Sequence, residues 1–256
     1  MPPNFAEYYD AVINWKRRLA REMPLLDELA RSAGRRVLVP ACGTGGHVVA
    51  LAERGFGVLG FDADEGMVAF DQERINHQAN AITAGGGEAE IRLLKMEQAG
   101  ELGPTHDAAF CLGNALPGIS GEGQLLVALK GIAGALRAGG ILLTQNLNYD
   151  LRWKEKAHWF PLLSGETAKE EVLLVKFADY EPEVINFHAM FLAREKAGRK
   201  WQSHVRTSRQ IPLFRDFLAQ LLVQAGFRKL QFWGDYAKSP FDPAISNDLL
   251  VAAEKL

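Results

Sequence analysis

"RVLVPACGTGGH", residues 36–47, decides how the chain is read. A run of β-formers ends at Ala41 and drops into a turn holding Gly43, Gly45 and Gly46. Glycines there let the backbone approach a ligand and aim amide N–H groups at it as a helix begins. Asp62 closes the next strand, "GVLGFD", about 20 residues beyond the first glycine. A carboxylate in that place can accept hydrogen bonds from both hydroxyls of a ribose. The order strand, glycines, helix, strand, acid describes a crevice for a nucleoside-bearing cofactor. A nicotinamide dinucleotide would prefer G-x-G-x-x-G, but the third glycine is Val48 here, which speaks against an oxidoreductase. On spacing alone, a plain strand-to-helix turn with a solvated Asp62 stays open.

Working outward, residues 11–31 show helical apolar spacing interrupted near Pro24, which reads as a kinked or two-piece helix before the first strand. After the turn, "HVVALAERG" is a short helix closed by Gly55, and a helix runs from about Glu65 to Asn80. "EIRLLKM", "DAAFCLG" and "ILLTQNL" are further strands, with the helix "GQLLVALKGIAGAL" before the last of them. Strands separated by helices of this length imply βαβ units and a parallel sheet. The rhythm changes after Asp150. "EVLLVKFADY", "VINFHAMFLARE" and "KWQSHVRTS" are strands joined by turns, an antiparallel insert. A helix, "LFRDFLAQLLVQAG", and the strands "KLQFWGD" and "DLLVAAEK" complete the pattern.

The expected fold is α/β: a seven-stranded, mostly parallel, Rossmann-like sheet with an antiparallel β insert after strand five. The expected organisation is an N-terminal helical cap over residues 1–34, a core over 35–150 and 206–256, and an insert over 151–205. An insert there stands above the carboxyl ends of the strands, where open α/β sheets bind ligands, so it is placed to be a substrate lid.

A net charge of −2 gives no reason to expect affinity for nucleic acid or anionic membranes. Cys42 and Cys111 form neither a metal-ligand spacing nor a disulfide framework and read as buried thiols of a reducing compartment. "MPPNFAEYYDAVINW" lacks the basic and apolar regions of a signal peptide, and no apolar run reaches membrane-span length. The expected setting is cytoplasmic, and the oligomeric state is open.

"RVLVPACGTGGHVVALAERGFGVLGFDADEGMV", followed by "DAAFCLGNALPGI", resembles class I S-adenosylmethionine-dependent methyltransferases. Within them it resembles the glycine/sarcosine N-methyltransferase-like branch of small-molecule enzymes. The likeness continues in "YDAVINWKRRL", "RAGGILLTQNLNYD" and "LLVQAGFRKLQFWGDY" and so covers most of the chain. It implies S-adenosyl-L-methionine as cofactor and a small-molecule methyl acceptor as partner. Ala41, Gly43, Thr44 and Gly45 match the turn against the methionine part of the cofactor, and Asp62 matches the ribose acid. Ala63 and Met67 match the adenine pocket, and Met96 its other face. Leu112, Gly113 and Asn114 match the segment beside the sulfonium. Arg18 matches an arginine on the cofactor carboxylate, although a solvated helix charge would look the same. Tyr9 resembles a group near the transferred methyl, and a core-edge tyrosine is the alternative. Asn114 and Tyr149, just beyond strand ends, are the expected acceptor-side groups.

Three positions depart from the resembled pattern. Val39 replaces the acid of the first motif, and Lys95 replaces the acid that opens the third-strand motif, with Glu97 nearby as a substitute. One such contact is worth about 1 kcal/mol, so weaker cofactor binding is expected. Leu147 stands where the glycine-specific enzymes carry an arginine before Asn-Tyr-Asp, which argues against glycine as substrate. The implied reaction is methyl transfer to an amine nitrogen. An oxygen acceptor is the nearest variation, and a non-catalytic binding module the more distant one. An alcohol would need a base: His188, in the insert, is the first candidate, then His158 and His204, whereas His47 and His77 read as solvated. Arg206 and Arg209 are candidates for holding an anionic acceptor, or else surface charges.

Overall fold

A computed structural model describes residues 5–119 and 121–256. Seven strands form one sheet in the order β10-β11-β5-β4-β1-β2-β3. They are β1 (Arg36–Pro40), β2 (Gly57–Asp62), β3 (Glu88–Leu93), β4 (His106–Cys111), β5 (Leu136–Leu147), β10 (Phe227–Trp233) and β11 (Asp248–Lys255). The first five run parallel, and β11 is antiparallel to both β5 and β10. The helices are α1 (Phe5–Val12), α2 (Trp15–Ala33), α3 (Gly46–Ala52), α4 (Glu65–Gly85), α5 (Glu122–Ala135), α6 (Tyr149–Glu155) and α7 (Arg215–Gln224).

Strand alternation sends side chains to two cores. Leu38, Phe61, Ala109 and Leu142 pack with Leu125 and Leu129 of α5 and Leu218 and Leu222 of α7. Val37, Val39, Phe110 and Leu143 pack on the opposite side with Leu26 of α2, Val48 of α3 and Ile75 of α4. The result is a three-layer α/β/α sandwich.

Between β5 and α7, a second sheet has the order β6-β7-β8-β9, all antiparallel. Its strands are β6 (Leu163–Glu166), β7 (Glu170–Tyr180), β8 (Ile185–Glu195) and β9 (Gln202–Gln210). The antiparallel insert and the seven-stranded sheet are thus as expected. Strand β6, only four residues long and with Gly165 in its middle, carries little β signal and goes unforeseen.

The N-terminal reading needs a correction. Helix α2 runs through Pro24, and the break falls earlier, at Asn14, whose side chain caps α2 by accepting from Arg17 N. Pro24 and Ala20, the residue whose carbonyl loses its helical partner to the proline, are both exposed. Water can take that hydrogen bond, so the proline does not split the helix.

Candidate cofactor and acceptor site

The carboxyl ends of β1, β2 and β4 meet at the glycine turn. Gly45 lies in the left-handed region at φ +74°, and a side chain there would overlap the Asp71 carboxylate of α4. A side chain on Gly46 would lie inside the Trp15 ring. Packing therefore demands glycine at both positions, whatever is bound above them. Gly43 faces open space, with Tyr9 Cε1 the nearest atom at 4.0 Å from where a Cβ would stand.

Asp62 ties the turn to β2. Its Oδ2 accepts from Gly43 N at 3.0 Å and its Oδ1 from Asp64 N at 3.0 Å. The Gly43 amide is thus committed to Asp62 and does not point at a ligand. Burial pushes the Asp62 carboxyl up, and these amide bonds work against that shift. The side chain stays half-buried, with further lone pairs for hydroxyl donors. Asp64 also caps α4, accepting from Gly66 and Met67.

The N-terminal helices fold over the turn. Asp10 of α1 accepts from Thr44 Oγ1 at 2.8 Å and from Trp15 Nε1 at 2.6 Å, and pairs with Arg74. Behind Trp15 lies a buried ionic cluster. Glu22, 1% exposed, accepts from His47 Nε2 at 2.7 Å, from Arg21 at 2.7 Å and from Arg18 Nε at 3.3 Å. Burial would raise the Glu22 carboxyl, but the His47 hydrogen bond and the Arg18 and Arg21 charges win and bring it to about 2. Burial pushes His47 down, so it is a neutral donor to Glu22 and not the solvated histidine the sequence suggests. Its neighbours Glu22 and Trp15, far along the chain from the turn, are what sequence spacing cannot supply. Arg18 is left with its guanidinium beside Gly113.

A cleft enclosing about 70 Å³ opens at this point. Of the residues expected at the cofactor, Arg18, Ala41, Gly43, Thr44, Leu112 and Gly113 line it, together with Tyr9. Trp15, His47, Cys42 and Ala115 line it as well, and the sequence reading missed their role. Gly45 lies underneath, against Asp71. Asp62, Ala63 and Met67 follow at the β2 tip and the start of α4, and Met96 at the turn after β3. These stand along the strand-end edge beyond the cleft lining, linked to it through the bond from Gly43 to Asp62.

Asn114 and Tyr149 come together but do not line that cleft. Asn114 Nδ2 donates to Tyr149 Oη at 2.9 Å, and Asn114 Oδ1 accepts from Leu147 N at 2.9 Å. Tyr149 donates to Gln210 Oε1 at 2.9 Å, and burial raises its hydroxyl well above the usual tyrosine range. With 1% exposure, Tyr149 belongs to the core and fastens the end of β9 to the tips of β4 and β5. Gln210 completes that network from 61 residues away, beyond the reach of local patterning. His188 lies on the β8 face turned away from the core: it stacks on Phe177 at 4.5 Å and bonds Thr207 Oγ1 at 2.8 Å. His158 Nδ1 lies 2.9 Å from the Ala178 carbonyl. Arg209 is exposed on the same outward face as His188, while Arg206 reaches Asp64 at 3.4 Å and lies over Phe5. Cys42 and Cys111 are both buried free thiols. Among the described residues, no helix is long and apolar enough to cross a membrane and no cluster of side chains suits a metal ion.

Residues 7–97, which hold the turn and its cap, match the family model for thiopurine S-methyltransferase (TPMT). The glycine/sarcosine N-methyltransferase of Parasynechococcus marenigrum is 27% identical over 245 residues, covering 94% of this chain and 80% of that one. Glycine N-methyltransferase of Mus musculus is 35% identical over 131 residues, covering 49% of this chain and 45% of that one. Among solved structures, a methyltransferase from Clostridium acetobutylicum dependent on S-adenosylmethionine superposes with a TM-score of 0.76 at 12% identity, covering 95% and 92% of the two chains. The chain is a class I S-adenosylmethionine-dependent methyltransferase. S-adenosylmethionine is the methyltransferase's cofactor, and the residues present suit its chemistry: Arg18, in the cleft lining, is a cation for a carboxylate, and Asp62, at the β2 tip beyond that lining, keeps lone pairs for ribose hydroxyls. Val39 and Pro40 sit inside the segment matched by the family model, so the missing acid of the first motif is no bar to membership.

Proposed function

We propose that the protein methylates a small-molecule amine, with S-adenosylmethionine supplying an activated methyl on its sulfonium. In this reading Asp62 takes the ribose hydroxyls, Ala63, Met67 and Met96 the adenine, and Arg18 the cofactor carboxylate. Glu22 fixes the Arg18 guanidinium, which reduces the ordering cost on binding. Tyr9, Leu112 and Gly113 border the space where the methyl would stand. The acceptor nitrogen forms the new N–C bond with its lone pair as the C–S pair returns to sulfur, and the methylated nitrogen then gives its proton to water. Close approach and exclusion of water do the rest.

The observation that carries nitrogen over oxygen is the state of the ionisable groups in the cleft. An alcohol needs a general base. His47 is bonded to Glu22, and the buried Cys42 thiol is shifted up, strongly, by burial and by Asp71. Burial makes His47 a weak base and keeps Cys42 a thiol. A free amine needs no base. The names of the relatives support the same element, nitrogen, while Leu147, in place of the resembled enzymes' arginine, speaks against glycine itself.

The test is a panel of primary and secondary amines and matched alcohols, followed by the appearance of S-adenosylhomocysteine and of the methylated product by mass spectrometry. Turnover on amines, rising with pH as the free-base fraction rises, is expected. Turnover on alcohols alone would overturn the assignment to nitrogen.

A further inference from the structure

Lys176 lies on the inner face of β7, alternating in step with the buried Leu174 and Ala178. Beside it on the same face is Phe160, whose amide donates to the Lys176 carbonyl at 3.0 Å, and Phe160 meets Phe187 of β8 edge to face at 5.1 Å. Across from them, Arg152 of α6 lies over the Phe160 ring at 4.9 Å. Both cations are half-buried, and neither has a carboxylate at ion-pair distance among the described residues. The Arg152 Nε is buried and has no hydrogen-bond partner. Asp248 feels the Arg152 charge but accepts its hydrogen bond from Gln145 Nε2 instead, and Tyr180, also nearby, donates to the Ala157 carbonyl. Burial and the Arg152 charge both push the Lys176 ammonium down.

Two like charges half-buried beside aromatic rings, with no carboxylate at ion-pair distance, cost stability unless something anionic joins them. Their place matters as much. Arg152 is one turn beyond Tyr149, which bonds Asn114, the neighbour of the cleft residue Gly113. They lie where the second sheet meets the strand ends.

We propose that Arg152 and Lys176 receive the carboxylate of a methyl acceptor larger than glycine, whose apolar body rests on Phe160 and Phe187. This rests on the reading of the strand-end crevice as the site of methyl transfer, and it supplies the acceptor's chemical class. The site takes the carboxylate at two cations, not at the position of Leu147. The two positive charges also disfavour an ammonium nearby, which keeps the acceptor nitrogen as the free amine that attacks.

The probe is phenylacetate, with its neutral twin phenylacetamide, in thermal-shift measurements at matched ionic strength, with and without S-adenosylhomocysteine. Phenylacetate should raise the melting temperature by about 3–5 °C at roughly ten times its dissociation constant, and phenylacetamide should not. Lys176→Met and Arg152→Gln should each lose that response and keep the S-adenosylhomocysteine shift, while Lys176→Arg should retain both. Equal responses to the two probes, or a phenylacetate response that survives in both the Met and the Gln variants, would overturn the proposal. A variant that fails to show the S-adenosylhomocysteine shift is replaced by Lys176→Gln or Arg152→Met, which remove the charge and keep most of the side-chain volume. If the wild type answers phenylacetate but not S-adenosylhomocysteine, the carboxylate site stands and the cofactor reading falls. The converse result sinks the carboxylate site alone.

Discussion

Glu22→Gln removes one charge from a buried cluster and keeps its shape, so its effect measures what that charge does. The Glu22 carboxyl goes from 4.5 to about 2 on folding, equivalent to about 3 kcal/mol of stability. The shift is downward, so the contribution is complete above the unfolded value of 4.5 and fades as pH falls towards 2. Urea unfolding at pH 7 should give a variant about 3 kcal/mol less stable than wild type, with an unchanged m-value. The gap should narrow below pH 4.5 as the wild type loses its own contribution. The same substitution releases Arg18, whose Nε lies 3.3 Å from Glu22. S-adenosylhomocysteine should then bind about tenfold more weakly, a loss of about 1.4 kcal/mol. 5′-Methylthioadenosine, which has the adenosyl part but no carboxylate, should bind the variant as it binds wild type. A variant as stable as wild type at pH 7, or equal weakening of both ligands, would refute the reasoning.

Asp71 carries the opposite sign. It is fully buried under Gly45, its Oδ1 has no partner, and burial raises its carboxyl from 3.8 to about 7. Ionising it in the folded state costs about 4 kcal/mol, so stability falls as pH rises from 3.8 to about 7. Asp71→Asn should be more stable than wild type at pH 8 in urea unfolding, with the advantage gone near pH 4. Gly46→Ala should push the Trp15 ring off the turn. A red shift in tryptophan fluorescence and a loss of S-adenosylhomocysteine binding are expected, with unfolding still cooperative.

The succession of strands and helices along the chain and the glycine turn were legible because both are written locally. The short, nearly continuous apolar runs of β1, β2, β4 and β5, buried on both faces, survive in the sequence, and Asp62 stands a fixed distance beyond the turn. What escaped was the set of partners that only tertiary contact brings together. Nothing near His47 announces Glu22, 25 residues earlier, so a buried neutral histidine reads as a solvated one. Tyr149 looks free at a strand end until Gln210 arrives from β9 to bond it. Gly45 and Gly46 read as ligand-facing residues, yet Asp71 and Trp15 press on them from behind and from the side. Pro24 reads as a breaker because a sequence does not show which helix face meets water. The pairing of Arg152 with Lys176 depends on how the second sheet lies against α6, and their positions in the chain give no hint of it.

The most direct test of the account is a crystal structure with S-adenosylhomocysteine bound. The ribose hydroxyls should lie within hydrogen-bond distance of Asp62, with the amino-acid tail running past Gly43 to put its carboxylate on Arg18. An adenosyl group found away from the β2 tip, or a carboxylate held elsewhere while Arg18 keeps only Glu22, would contradict it.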